Sequence, residues 1–165
     1  MNMKGKAWKF GDSISTDHIS PGRYFHLRTN LPELTKHTLE DAREEYVKNV
    51  KAGDIVVAGK NFGMGSSREH AAIMIKMSGA SAVVAKSFAR IFYRNAINIG
   101  LPAIICDTDK ITDGDQLSID LKAGRLLDET KGFELTFAPI PKAMIKILSE
   151  GGLVPYIKKY GGLKL

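Results

Sequence analysis

The densest chemistry in the chain lies in Gly59-Lys-Asn-Phe-Gly-Met-Gly-Ser-Ser-Arg-Glu-His70. Its glycines, Gly59, Gly63 and Gly65, permit positive φ or close approach of backbone to a ligand. Ser66 and Ser67 follow at once, where the pattern predicts a helix over 67–78. Free N–H groups and the helix dipole at such a start favour an anion. Arg68 adds a planar fork that grips a carboxylate. This set suits a carboxylate-bearing substrate. It also has the electrostatic sign that stabilises a serine alkoxide, which would let Ser66 act as a base. A plainer alternative is that Ser66 or Ser67 only caps the helix, with Glu69 or His70 completing its first turn. The segment is not a Walker loop, since no Gly-Lys-Ser/Thr closes it. It is not a G-x-S-x-G elbow either, since Arg68 stands where that motif needs glycine.

Two further segments carry polar groups. Gly11 to Tyr24 holds Asp17 and His18 among turn-forming residues, and Arg28-Thr29 continues the same loop. These residues form either a polar wall of an active site or a network of side-chain turns that merely closes the loop. In Ala85 to Ala96, Ser87 reads as an N-cap, and Arg90 and Arg94 share a helix face. That face fits an acidic partner, loop carboxylates or plain solvent. The four histidines have no metal-ligand spacing, and the lone Cys106 cannot hold an iron–sulfur cluster. Cys106 ends an apolar run and reads as a small buried hydrophobe.

The elements that must position these groups follow from periodicity. Residues 3–10 read as a strand and 11–30 as a long loop, which in a compact domain signals function or disorder. A helical stripe runs over 32–49, with Pro32 in its first turn. Strands at 54–58, 82–85 and 101–106 alternate with helices at 67–78 and 88–98, the mark of an α/β layer with parallel strands. The segments 117–121 and 133–137 alternate as half-exposed strands, with a turn at 122–125 between the first and Leu126-Leu127. Two short helices, 142–149 and 153–160, are split by Gly151-Gly152. No repeat or linker divides the 165 residues, so one domain over 1–165 is expected.

Composition narrows the function class. Apolar residues are 44% and charged residues 25%, ordinary for a globular protein. No apolar run is long enough to span a membrane. The basic N-terminus leads into no apolar h-region, so a cytoplasmic location is expected. The charge of +6 is scattered, without the basic–aromatic interleaving of a nucleic-acid platform. A non-catalytic dicarboxylate- or nucleic-acid-binding domain stays as the alternative of a different class.

Taken together, Thr16-Asp-His-Ile-Ser20, Asn61-Phe-Gly-Met-Gly-Ser-Ser-Arg-Glu-His70 and Lys86-Ser-Phe-Ala-Arg-Ile91 resemble, in that order, the small subunits of isopropylmalate isomerases. These correspond to the swivelling C-terminal domain of aconitase, and the resemblance spans essentially the whole chain. It implies a three-layer β/β/α swivelling domain. It also implies a small subunit acting with a large iron–sulfur subunit, as a heterodimer or heterotetramer. The large subunit would carry a [4Fe–4S] cluster whose open iron polarises the leaving hydroxyl; no metal is expected on this chain. The implied reaction is dehydration and rehydration of a 2-hydroxy or 3-hydroxy dicarboxylate. By position, Ser66 resembles the catalytic base, Ser67 and Arg68 resemble substrate-carboxylate ligands, and Asp17 resembles an active-site aspartate. The loop carrying Tyr24-Phe-His-Leu-Arg-Thr29 corresponds to the part that reads the substrate's side group, which makes Arg28 and Thr29 substrate-binding candidates. Isopropylmalate is the expected substrate, with homoaconitate and dimethylmalate-type acids as alternatives. Whether Arg28 meets a third carboxylate, or Phe25 or Leu27 meets an isopropyl group, decides between them.

Overall fold

The computed structural model describes residues 1–164. Strand β1 (Asn2–Lys9) is the hinge of the architecture. Its second half, Ala7 to Lys9, pairs in parallel with β2 (Ile55–Ala58), which continues through β3 (Ala82–Ala85) to β4 (Ala103–Ile105), all parallel. Its first half, Asn2 to Lys6, pairs antiparallel with β5 (Gln116–Asp120), followed by β6 (Arg125–Asp128) and β7 (Phe133–Thr136). The order is β4-β3-β2-β1-β5-β6-β7, one curled sheet with a parallel and an antiparallel half.

Strands β2 and β3 are fully buried, so each reads as an unbroken apolar run and must face two cores. Ile55, Val57, Ala82 and Val84 pack with Leu117, Ile119 and Leu126 of the antiparallel half. Val56, Ala58, Val83 and Ala85 pack on the other side with Ala71, Ala72 and Ile75 of α4 (Glu69–Met77) and Phe92 and Ala96 of α5 (Arg90–Asn98). Alternation along two strands therefore builds the β/β and β/α interfaces at once. The expected β/β/α layering is the observed one. The helices α6 (Lys142–Ser149) and α7 (Leu153–Tyr160) form as their periodicity predicts.

Three local expectations are corrected. The stripe at 32–49 is not one helix: α2 is Leu31–Thr35, α3 is Glu45–Asn49, and turns lie between. Thr35 and Thr38 turn their hydroxyls onto the carbonyls of Leu31 and Thr35, and Leu39 takes φ 58° to bury its side chain. The helix read from 67 begins at Glu69, and the helix read from 88 begins at Arg90. In both cases the preceding residues stay extended to make loop contacts. The loop at 11–30 contains the one-turn helix α1 (Thr16–Ile19) and a 3-10 segment at Gly22–Leu27.

Candidate active site

The glycine loop and the Asp17 loop are stitched together by backbone. Ser13 N donates to Lys60 O, Gly63 N to Ile14 O, and Thr16 N to Met64 O, at 2.7–2.8 Å. On its other side, Phe62 N donates to Ser87 O and Ala89 N to Phe62 O. Ser87 is not a helix cap; its hydroxyl accepts from Asn61 N and so holds the glycine loop in place. Gly63 and Gly65 take φ of 82° and 109°, which favour glycine. A Cβ on Gly63 would also fall 2.2 Å from the Phe92 ring.

This frame presents Ser66 at the surface. Ser66 Oγ lies 3.1 Å from the hydroxyl of buried Thr16, which also accepts the Ser66 N–H at 3.1 Å. Neither Ser66 nor Ser67 caps α4: its N-cap is Arg68, without a side-chain cap bond, so the capping alternative fails. Ser67 is exposed beside it. Arg68 Nη1 donates to Asp17 Oδ1 at 3.0 Å and to Ser20 O at 3.3 Å. Asp17 thus reaches the site through Arg68. His18 turns inward to the Ser15 hydroxyl in a capping box on α1.

Phe25 stands over this rim, with the Arg28 guanidinium 4.4 Å and the Arg68 guanidinium 5.5 Å from its ring centre. Arg28 folds back onto the Phe25 carbonyl at 3.2 Å, and Thr29 is exposed in the turn that follows. The His70 ring lies 6.3 Å from Phe25. Burial first and the Arg68 cation second push His70 below the usual imidazole range, so it is neutral near pH 7. The loop itself is pinned from the 36–44 turns, where Arg23 forks onto Asp41 and Tyr24 stacks on His37.

Beyond Ser66, a cleft of about 520 Å³ runs between the glycine loop and α5, lined by Gly63, Gly65, Ser66, Ile91, Arg90 and Arg94. Cys106 is buried, its thiol pushed up by burial, and no cluster of metal-ligating side chains occurs among the described residues. Sequence reasoning missed Thr16, Phe25's link to Arg68, and the neutral His70. Thr16 stands in a motif that drew attention only to Asp17, and no spacing rule joins position 16 to position 66.

Residues 13–108, which hold this whole frame, match the aconitase C-terminal domain. The chain belongs to that family. It is 62% identical over its full length to a 3-isopropylmalate dehydratase small subunit of Archaeoglobus fulgidus, covering all of that protein. It is 51% identical over 158 residues to a methanogen homoaconitase small subunit of Methanothermobacter thermautotrophicus, covering 95% of this chain and 91% of that one. A crystal structure of 3-isopropylmalate dehydratase from Methanocaldococcus jannaschii superposes with a TM-score of 0.92 at 50% identity, over 98% of this chain and 96% of the other. The aconitase-type frame therefore extends beyond residues 13–108 to the antiparallel half of the sheet.

Proposed function

We propose that the chain is the small subunit of a two-subunit hydro-lyase that interconverts 2-isopropylmalate and 3-isopropylmalate, a step of leucine biosynthesis in the cytoplasm. The observation that supports this most is the convergence of the exposed Ser66 hydroxyl, held by Thr16, with the Arg68 guanidinium, held by Asp17 and the Ser20 carbonyl. A base and a carboxylate grip then stand on one rim. Ser66 takes the proton from the carbon next to a carboxylate, the hydroxyl leaves, and an alkene diacid forms. Rehydration at the neighbouring carbon returns the proton. Thr16 donates to the Ser66 alkoxide that serves as the base and becomes a hydroxyl as it takes the proton, and Arg68 supplies positive charge at no cost in reorganisation. Ser67 and Arg68 hold the substrate carboxylate, and Asp17 aims Arg68.

A single buried cysteine cannot hold an iron–sulfur cluster, so in this reading the [4Fe–4S] cluster belongs to the large subunit. Departure of the hydroxyl is that subunit's half of the chemistry. Phe25, 43% exposed beside Arg68, offers an apolar face to an isopropyl group. Arg28 is drawn back onto the Phe25 carbonyl, which favours the dicarboxylate over an acid with a third carboxylate.

The test is anaerobic reconstitution with the large subunit of the same organism, followed by alkene formation from 2-isopropylmalate. Ser66→Ala should lower turnover at least about a thousandfold while the subunits still assemble. Parental turnover by that variant removes Ser66 from the mechanism. An active complex that ignores isopropylmalate and hydrates homoaconitate transfers the substrate assignment to Arg28.

A further inference from the structure

Arg90 and Arg94 line the cleft beside Ser66, and they also line a second groove, of about 590 Å³, between α5 and α6. The two depressions are therefore one surface that passes from the candidate base across α5. Beyond the arginines the groove is apolar, walled by Tyr93, Ile97, Ile105, Met144 and Ile147. Ile91 in the Ser66 cleft and Ile105 in the groove are 50% and 55% exposed, so the continuous surface carries apolar side chains on both sides of the arginines. The charge pattern points outward as well. Arg23, Arg43, Arg68 and Arg125 each meet a carboxylate of this chain. Arg90 and Arg94 are exposed and have no ion pair among the described residues.

We infer that this α5 face docks the large subunit, through carboxylates that pair with Arg90 and Arg94 and an apolar side chain that enters the α5–α6 groove. The inference rests on the hydro-lyase reading, which requires a second subunit to complete the site at Ser66. Continuity of the groove with the Ser66 cleft selects that subunit as the occupant. Two guanidiniums covered by a protein need carboxylates opposite them, because an unpaired buried charge is costly. Docking here would also close one wall of the cleft, so assembly and completion of the site are a single event.

The experiment is titration of the full-length chain with its own large subunit, anaerobically, at low and at high salt. Arg90→Glu with Arg94→Glu should weaken binding at least about tenfold, and the parent's affinity should fall with salt far more than the variant's. Arg125→Glu, an exposed arginine on β6, should bind as the parent does. Circular dichroism confirms folding, and Arg90→Gln with Arg94→Gln replaces the glutamates if they prevent it. Equal binding by parent and variants at both salts overturns the inference and leaves the hydro-lyase reading intact. Parental binding with a raised KM also overturns it, because the arginines would then hold substrate. A parent that binds no large subunit removes the hydro-lyase reading, and the inference with it.

Discussion

Thr16 Oγ1 accepts the Ser66 N–H, so its own hydrogen is free to point at Ser66 Oγ. A buried threonine hydroxyl with one such task and one such neighbour is a built donor for an alkoxide. Thr16→Val keeps the shape and removes both bonds. It should lower kcat of the assembled enzyme about 10- to 100-fold and cost about 1–2 kcal/mol of stability. Kinetics beside a denaturation curve would measure both, and an unchanged kcat would mean that Ser66 needs no help from Thr16. His70 is a quieter case at this scale. Its Nε2 is buried without a hydrogen-bond partner among the described residues, and burial, with Arg68 beside it, holds the ring neutral, so it adds no competing cation to the carboxylate grip.

Among the elements, the glycine loop divides its duties between two positions. Gly63 meets the Phe92 ring, which belongs to the core between sheet and helices. Gly65 faces Thr16 Oγ1, with only 3.0 Å for an added Cβ. Gly63→Ala should therefore cost stability, about 2–4 kcal/mol from positive φ and overpacking together. Gly65→Ala is strained too, but its clash falls on the Thr16–Ser66 contact, so turnover should fall by more than stability. Melting temperatures and kcat of the two variants test the division, and matching losses in both readouts would refute it. The turns at 36–44 matter for the same reason as the glycines. By abandoning a regular helix they supply Asp41 and His37, which hold Arg23 and Tyr24 of the loop carrying Phe25.

Across the whole molecule, the antiparallel half carries a buried acid pair far from the candidate site in sequence. Asp128 is pushed above the usual carboxylate range by burial and then by Asp115. Burial works against the charge of Asp115 as well, yet Asp128, the Thr112 N–H and Lys131 hold it below that range. Asp128 Oδ2 is buried without a hydrogen-bond partner among the described residues, where a negative charge would be costly. The stability from protonated Asp128 is complete below the ordinary carboxylate pKa and is lost as pH rises through its raised value. The stability from ionised Asp115 is present above the ordinary value and is lost as pH falls through its lowered one. Asp128→Asn keeps a donor at every pH, so relative to the parent it should gain stability at about pH 9 compared with about pH 5. Thermal melts at both values decide it, and a constant difference would mean that Asp128 does not titrate above the ordinary carboxylate range.

The period-2 and helical patterns, the buried runs at 55–58 and 82–85, and the Gly-Ser-Ser-Arg motif were legible because each is set by neighbours along the chain. They were enough to indicate an α/β layer with parallel strands and the residues 66–68, while the β/β/α layering was implied only by the family resemblance. The break at 36–44, where the Leu39 N–H donates to the Ile19 carbonyl, the true starts of α4 and α5, and the work of Ser87 depended on partners distant in sequence. Local propensity favours a cap wherever serine precedes a helix, and only the folded chain shows that a backbone N–H from another loop claims the hydroxyl instead. The meeting of Thr16 with Ser66, of Asp17 with Arg68 and of Phe25 with Arg68 belongs to the same class. Hydrogen bonds and packing across about fifty residues of separation are decided by how β1 and β2 align in the sheet, and no spacing in one dimension encodes that alignment.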